Sequence, residues 1–474
     1  MPQARLAAAA AAIALTTACA SQPRYTRPAA PAPAAYKEAA GGTAPGWQTA
    51  GTELPAPGAW WTLFDDPVLA DLEGRLEASS PSLAAAAARY AQAQGLLAQA
   101  RADRVPEVDL SADAVRERLS GGRPLSSGSA ARYSAATIGA SLAYEVDLFG
   151  RVRSSVAAGT AAAQASAADV AAVRLGLQAQ LAALYFDMRG LDARIVLLGA
   201  TVAAFRRAYE LTATRHEGGI ASGIDVSRAE NQLASARAEL SAVAIARAQD
   251  EHALAALLGM APAELSIAVV ETLAPPPVVP AGLPSTLLGR RPDIAAAERR
   301  VAAANARIGV ARAALFPAIT LGGAGGFEAA SGALLSASSG FWALGPLSAA
   351  LAIFDGGRRR AGVRISRAEY DEAAARYRET VLTAFREVED TLAAQRLLAV
   401  QERDQAAATR AAERTRELAL TRYRDGAADY LEVVTAQTAA LDAGRTLLDL
   451  RRRQLATAVD LIRALGGRYA VPPA

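Results

Sequence analysis

Apolar residues recur along the chain with two different periods. Over residues 177–209, Leu177, Leu181, Leu184, Met188, Leu191, Ile195, Leu198, Val202, Phe205 and Tyr209 alternate spacings of four and three, a sustained heptad seam. A second seam, Val434, Leu441, Leu448, Leu455 and Ile462, repeats every seven residues. Both seams lie in long proline-free stretches, 151–261 and 347–471, broken by glycine at Gly218-Gly219 and at Gly426. The pattern predicts helices over 151–217 and 358–424, each of 67 residues. At about 1.5 Å per residue each is about 100 Å long. Return helices over 225–258 and 432–465 make both into antiparallel coiled-coil hairpins with glycine at the turn. Shorter helical patterns, 82–104 and 293–315, precede them, each ended by a proline (Pro106, Pro317).

The other period is two. Val108, Leu110, Ala112 and Ala114 oppose Asp109, Ser111 and Asp113, and Ile138, Ala140, Leu142, Tyr144, Val146 and Leu148 oppose Ser141, Glu145 and Asp147. Ile319, Leu321 and Phe327 alternate with small residues, as do Leu347, Ala349, Leu351 and Ile353. These read as four half-buried strands, 107–118, 135–149, 318–328 and 342–354. Their lengths of about ten residues also suit the wall of a transmembrane barrel. The fold class expected is mainly α with a β-barrel part.

The order helix, two strands, hairpin occurs twice, and the residues repeat with it. Ser80-Pro81-Ser82-Leu83 aligns with Arg291-Pro292-Asp293-Ile294, an offset of 211 that also matches Ala100-Arg101-Ala102 with Ala311-Arg312-Ala313 and Pro106 with Pro317. From Gly150-Arg151 to Gly357-Arg358 the offset is 207, and it holds for Thr214-Arg215 with Thr421-Arg422, Gly219 with Gly426 and Leu258-Gly259 with Leu465-Gly466. Alanine bias does not produce paired Gly, Arg and Pro positions. The chain therefore divides into a leader (1–18), a proline-rich tether (19–67), a first repeat (68–262), a linker (263–284), a second repeat (285–467) and a short tail (468–474).

Composition sharpens the reading. The 474 residues are 52% hydrophobic but only 5% aromatic, and much of the apolar total is alanine, which suits close-packed helices. A formal net charge of +3 is no nucleic-acid footprint. One cysteine excludes a disulfide framework, an iron–sulfur cluster and a Cys-based zinc site, and two histidines, His216 and His252, leave little for hydrolase or metal chemistry. No nucleophile–base pair, metal cluster or nucleotide motif is visible, so neither an enzyme nor a cofactor is expected. Gly322-Gly323-Ala324-Gly325-Gly326 lies in a strand and opens no helix, which excludes a phosphate loop and fits close strand packing.

The first residues set the compartment. Arg5 precedes an apolar run, residues 6–18, too short to span a bilayer but suited to a signal peptide. Leu15-Thr16-Thr17-Ala18-Cys19 resembles a lipobox, although its large apolar residue stands one position further from the cysteine than usual. Ala18-Cys19-Ala20 is alternatively an ordinary small-x-small cleavage site. Lipidation at Cys19, with Ala20 following, would direct the chain to the outer membrane. Deeper membrane contact then falls to the strands. Four strands cannot close a barrel, for which about eight are the minimum, and open edges cannot be left in lipid. Other copies of the chain must complete the wall.

In this light the chain resembles the outer-membrane efflux proteins of TolC/OprM type, in the NodT-like lipoprotein subgroup. The resemblance is carried by Tyr25-Thr26-Arg27-Pro28, by Trp60-Trp61 before Asp66-Pro67-Val68-Leu69, and by Tyr144-Glu145-Val146-Asp147-Leu148-Phe149-Gly150-Arg151. It continues through Leu287-Leu288 and Arg291-Pro292-Asp293-Ile294 with Ala297-Glu298, then Arg422-Tyr423, Gly426 and Ala464-Leu465-Gly466-Gly467. It implies a homotrimer with a 12-stranded pore and a tunnel of twelve helices. That duct would dock a periplasmic adaptor joined to an inner-membrane pump, of the resistance–nodulation–division kind, and export drugs or small toxic compounds passively. A duct for type I protein secretion and a pore-less periplasmic coiled-coil scaffold are the competing readings.

The resemblance also assigns residues at the two tips. Arg215 with Gly219, and Arg422 with Gly426, fit an Arg-x-x-x-Gly adaptor-contact pattern. A plain helix C-cap would look the same. Asp225 and Glu432, six residues after each glycine, occupy the positions of a carboxylate ring at the periplasmic gate. Negative charge in a first helical turn also suits the helix dipole. Tyr423 stands at the position of a gating tyrosine, with Asp225 as its expected hydrogen-bond partner, and Leu431 at that of an apolar constriction. Two family features are replaced here, by Thr435 and Ala428. His216 aligns with Tyr423 as a tip surface residue, and His252 is expected on a polar helix face. Arg358-Arg359-Arg360 is expected at the barrel border, and Tyr144, Phe149, Phe327, Phe341 and Trp342 are candidate interfacial aromatics.

Overall fold

The computed structural model describes residues 23–31, 33–38, 59–122, 124, 128, 130–277, 279, 284–330 and 334–467. The leader, Cys19 and the tail lie outside them. Helices α1 (Pro67–Ser79), α2 (Pro81–Ala102), α3 (Arg151–Glu217), α4 (Gly223–Leu258), α5 (Pro284–Arg290), α6 (Pro292–Ala313), α7 (Arg358–Arg424) and α8 (Tyr430–Ala464) are interleaved with strands β1 (Glu107–Leu119), β2 (Ala131–Glu145), β3 (Ala318–Ala329) and β4 (Gly340–Ala350). Two compact units arise, and they are not the two repeats. Residues 1–29, 89–167 and 296–377 form one, and 30–88, 168–295 and 378–474 the other, so each takes residues from both repeats.

The first unit holds the sheet, an antiparallel meander in the order β1-β2-β3-β4. Alternation of side chains gives it one apolar face, with Val108 and Leu110 opposite Leu142 and Ala140, and Leu321 opposite Leu347. The other face carries Asp109, Ser111 and Asp113 from β1 and Ser141 from β2. β1 is exposed along nearly its whole length, and Trp342, Leu344 and Leu347 of β4 are 84%, 80% and 71% exposed. β1 and β4 are the two edges of an open sheet. The glycine run in β3 serves close strand approach: a Cβ on Gly326 would stand 2.3 Å from the backbone oxygen of Ile138. Beside the sheet, Leu97 of α2 packs with Val156 and Ala163 of α3.

Both long helices begin on a carboxylate that caps exposed backbone N–H groups. Asp147 accepts from Val152 N at 3.2 Å and Arg153 N at 2.8 Å. Asp355 accepts from Gly357 N at 2.9 Å and Arg359 N at 3.2 Å, and the Arg359 side chain pairs with it. Arg359 of the expected border cluster is thus bound into a junction, while Arg358 and Arg360 face solvent.

The second unit is helical. The seam residues of α3 are buried or half-buried. Leu198 packs with Val243 of α4 and Leu441 of α8, and further along Val202 and Phe205 meet Leu233 and Ala236 of α4. Leu69, Leu72 and Leu76 of α1 join the core. Asp66 caps α1, accepting from Val68 N at 2.9 Å and Leu69 N at 3.1 Å, and takes a 2.6 Å hydrogen bond from the Tyr185 hydroxyl. Among the described residues no helix is long and apolar enough to cross a membrane.

The proline-rich segment is docked rather than a free tether in its described parts. In the first unit Asn305 donates to the Pro23 carbonyl at 2.9 Å, Tyr25 donates to the Glu298 carboxylate, and Arg27 Nε donates to the Tyr377 hydroxyl at 3.0 Å. In the second, Tyr36 is buried and Glu389 accepts from the backbone of Lys37 and Glu38 at 2.8 and 2.9 Å. Trp60 and Phe64, placed in the tether by sequence, form a 3-10 turn whose aromatic rings are buried.

Candidate functional site at the hairpin tips

Each tip is built by a glycine-ended helix followed by a capped one. Gly219 and Gly426 have φ of 72° and 78°, the left-handed region open to glycine. Ile220 N donates back to Arg215 O at 2.8 Å and Gly219 N to His216 O at 2.9 Å. At the second tip Ala427 N donates to Arg422 O at 2.8 Å and Gly426 N to Tyr423 O at 3.1 Å. This is the same Schellman closure twice. The return helices start on side-chain caps: Asp225 N donates to Ser222 Oγ at 3.3 Å, and Glu432 N to Asp429 Oδ1 at 3.0 Å.

The two tips are joined through Arg215 and Tyr423. The Arg215 guanidinium lies 4.5 Å from the centre of the Tyr423 ring and donates to the Tyr423 carbonyl at 2.7 Å and the Arg424 carbonyl at 2.9 Å. Those carbonyls belong to the last turn of α7, beyond the reach of intrahelical donors, where the Tyr423 carbonyl also accepts from Gly426 N of the turn. Arg215 therefore caps the neighbouring hairpin's helix and stacks on it at once. Tyr423 is 5% exposed, packs edge-on against Tyr430 at 5.5 Å, and shares a buried core with Ala208, Ala229 and Val433. Burial pushes the Tyr430 phenol up to about 12, with Tyr423 and Asp225 adding to the shift.

The expected Tyr423–Asp225 hydrogen bond is not formed. The Tyr423 hydroxyl pairs with Thr212 Oγ1 at 3.2 Å, with the ring seated in the core of Ala208, Ala229 and Val433. Asp225 instead accepts from the Ser222 hydroxyl at 2.7 Å and lies 3.6 Å from Arg228. Glu432 pairs with Arg422 at 2.7 Å, across the second tip. Each of the two acidic residues thus has a cation beside it within one copy. Leu431 is 48% exposed, and Ile220 and Ile224 of the first tip are 77% and 64% exposed. His216 is exposed and contacts the Ala221 carbonyl at 2.8 Å, and His252 is exposed. Of the five candidate interfacial aromatics Trp342 is the most exposed, whereas Phe149 stacks on Phe316 at 4.8 Å; Phe354, outside that set, is 91% exposed.

Three features escaped the sequence reading. Arg215 could not be assigned to the carbonyls of α7, since nothing local distinguishes it from a C-terminal arginine serving its own helix. A buried ion network in the second unit was also missed. Asp192, fully buried, accepts from Arg189 at 3.0 Å, Arg247 at 2.8 Å and Val270 N at 3.3 Å, and Arg189 donates to the Ala268 carbonyl at 2.6 Å. Glu251 accepts from Arg247 at 2.9 Å and Ile267 N at 2.6 Å. The network fastens linker residues 267–270 to α3 and α4. The third is Glu73, fully buried in α1, whose carboxyl oxygens meet no hydrogen-bond partner among the described residues. Burial, and then Glu77, push its carboxyl up to about 9. A signal existed: Glu73 falls in the stripe Leu69, Leu72, Glu73, Leu76, on the helix's buried face.

Comparison with known proteins places this architecture. The family model described as "Outer membrane efflux protein" matches residues 72–260 and 283–467. The antibiotic efflux pump outer membrane protein ArpC of Pseudomonas putida is 34% identical over 455 residues, covering 95% of this chain and 93% of that one. The toluene efflux pump outer membrane protein TtgC, also of Pseudomonas putida, gives the same figures. Among solved structures, the outer-membrane channel OprN superposes with a TM-score of 0.88 at 30% identity, over 95% of this chain and 99% of its own. The open state of the MtrE outer membrane channel of Neisseria gonorrhoeae superposes with a TM-score of 0.82 at 27% identity, over 95% and 99%. The open sheet with its apolar face, the doubled hairpins and these matches over nearly the whole length agree: the chain belongs to the outer membrane efflux protein family and is an outer-membrane efflux channel.

Proposed function

We propose that three copies of the chain form the exit duct of a tripartite pump that expels antibiotics, solvents or similar small toxic compounds. The duct is anchored by acylation of Cys19, joined at its tips to a periplasmic adaptor, and fed by an inner-membrane pump of the resistance–nodulation–division kind. The sheet supports assembly from several copies, since its four strands leave two open edges that lipid cannot accept; the number three follows the resemblance to TolC/OprM-type channels. The substrate class rests on the antibiotic and toluene pumps to which ArpC and TtgC belong. Transport is passive in this chain, which gates and conducts while the partner supplies energy.

The tips are the gate. Tyr423 and Arg215 hold the two hairpins of one copy together, Leu431 narrows the mouth, and Asp225 and Glu432, with their arginine partners, set the charge there. The glycine-ended turns at Gly219 and Gly426, with Arg215 and Arg422, form the surface offered to the adaptor. The test is complementation of a strain lacking its own outer-membrane duct, with the neighbouring pump and adaptor genes supplied. Restored resistance to antibiotics or toluene supports the reading. Restored secretion of a protein substrate with no gain in resistance overturns it in favour of type I secretion, and sealed vesicles containing pure protein overturn any duct.

A further inference from the structure

The internal repeat extends to hydrogen-bond register. Shifting β1 by 211 and β2 by 207 carries the pairs Glu107↔Ala143, Asp109↔Ser141 and Leu110↔Ala140 onto Ala318↔Ala350, Thr320↔Ser348 and Leu321↔Leu347. Those are the pairs formed by β3 and β4. The agreement ends only at the irregularity after Leu321, beyond which β4 is displaced by one residue. The two hairpins are thus the same unit, and the joint between them, β2 to β3, shows how one unit binds the next.

The same shifts applied to that joint describe pairs that one chain cannot make. Ala143↔Gly322 becomes Ala350↔Ser111, Ser141↔Ala324 becomes Ser348↔Asp113, and Tyr144↔Leu321 becomes Leu351↔Leu110. Resting on the trimer reading above, we infer that β4 of one copy pairs with β1 of the next in this register, with Ala350 opposite Ser111 and Ser348 opposite Asp113. A ring of identical copies closes through one head-to-tail joint repeated, and each copy has the two free edges this joint needs.

Two independent features agree with it. The first is parity. A slip of one residue would turn every side chain to the wrong face. The inferred register instead sets exposed Leu110 beside exposed Leu351 and keeps Asp113 and Ser111 with Ser348 and Ala350 on the polar face. The second is strand length. β2 runs to Glu145, the counterpart of residue 352, whereas β4 stops at Ala350. Val146 N still donates to the Ile319 carbonyl at 2.9 Å. The counterpart bond is from Ile353 N to the Val108 carbonyl of the neighbouring copy, so pairing extends β4 by at least two residues. It also gives a place to Ile353, 97% exposed in the single chain.

Disulfide trapping tests the register. Counting from the Val146–Ile319 bond, Ala143↔Gly322 is a non-hydrogen-bonded pair, and so is its counterpart Ala350↔Ser111. Such pairs have Cα atoms about 4.5 Å apart, within disulfide reach. A partner two residues away is displaced by about 6.7 Å along the strand, beyond that reach. The full-length double variants S111C/A350C and D113C/S348C are oxidised in native membranes and run on non-reducing gels. Both are expected to convert monomer into covalent dimer and trimer, while S111C/S348C, S111C/A352C and the single variants do not. Cross-linking of a shifted pair in preference to S111C/A350C overturns the register and leaves the trimer standing. Absence of any product from a protein that sediments as a trimer overturns the β4–β1 joint. Sedimentation as a monomer overturns the trimer reading itself.

Discussion

Arg215 rather than the Tyr423 hydroxyl carries most of the connection between the two tips, and the two can be ranked. The hydroxyl makes one neutral contact, 3.2 Å to Thr212 Oγ1, which also donates to the Ala208 carbonyl at 2.9 Å. Tyr423→Phe therefore orphans no donor and removes about 1 kcal/mol. Arg215 makes two charge-assisted bonds and stacks on the ring. Hydrogen bonds to charged groups contribute about 1.5–3 kcal/mol each when shielded, but the Arg424 carbonyl bond is exposed to solvent. Counting about one full bond and a weak cation–π term gives about 2 kcal/mol per copy. If the tips part when the duct opens, Arg215→Ala raises the open-to-closed ratio about 30-fold per copy, and Tyr423→Phe about fivefold. Arg215→Lys falls between, since an ammonium cannot span both carbonyls. The assay is single-channel recording in planar bilayers, restricted to variants that keep the wild-type sedimentation. Tyr423→Phe opening more than Arg215→Ala, or wild-type conductance in both, refutes the assignment.

Other perturbations probe the body of the molecule. Asp192→Ala leaves Arg189 and Arg247 buried beside an apolar side chain. Breaking a buried ion cluster this way costs about 3–5 kcal/mol, read as a lower melting temperature together with new proteolysis near Ile267. Glu73 gives a pH dependence of unusual sign. Its folded-state value of about 9 lies above the ordinary 4.5, so between those values the folded state holds a proton that the unfolded state has lost. Stability then falls as pH rises from about 4.5 to 9, by at most about 1.4 kcal/mol per pH unit, and is flat on either side. Glu73→Gln removes that slope, so the variant should melt close to wild type near pH 4.5 and above it at pH 8; equal melting at both disproves a neutral, buried Glu73. Gly326→Val places a side chain against the Ile138 backbone and should abolish membrane insertion. Gly322→Ala, where the nearest atom to a Cβ is 3.3 Å away, should retain it, with heat-stable oligomer on gels as the readout.

The chain discloses its elements far more readily than its contacts, and the reason is physical. Helix limits at 151–217 and 358–424 coincide with α3 and α7 because local signals mark both ends: a capping aspartate before the first turn and a left-handed glycine after the last. Period two exposed the four strands, and the repeat exposed that they come as two copies of one hairpin. Strand ends were read less well, 135–149 and 342–354 against Ala131–Glu145 and Gly340–Ala350, because alternation continues past the last ladder bond. At the tips, sequence located Arg215, Gly219, Tyr423 and Gly426 but mispaired Tyr423 with Asp225. Position in a family pattern fixes where a side chain starts, whereas its partner depends on which way the ring turns into the core of Ala208, Ala229 and Val433. Arg215 shows the same limit from the other side. Its bonds go to backbone carbonyls more than 200 residues away, and a carbonyl has no residue type through which a sequence can announce it. The register of the repeats escapes that limit, since a ladder is backbone pairing counted in residues, and counting is what a sequence preserves. The joint inferred between copies, which lies outside any single chain, is for that reason more readable from this molecule than the Arg215–Tyr423 contact inside it.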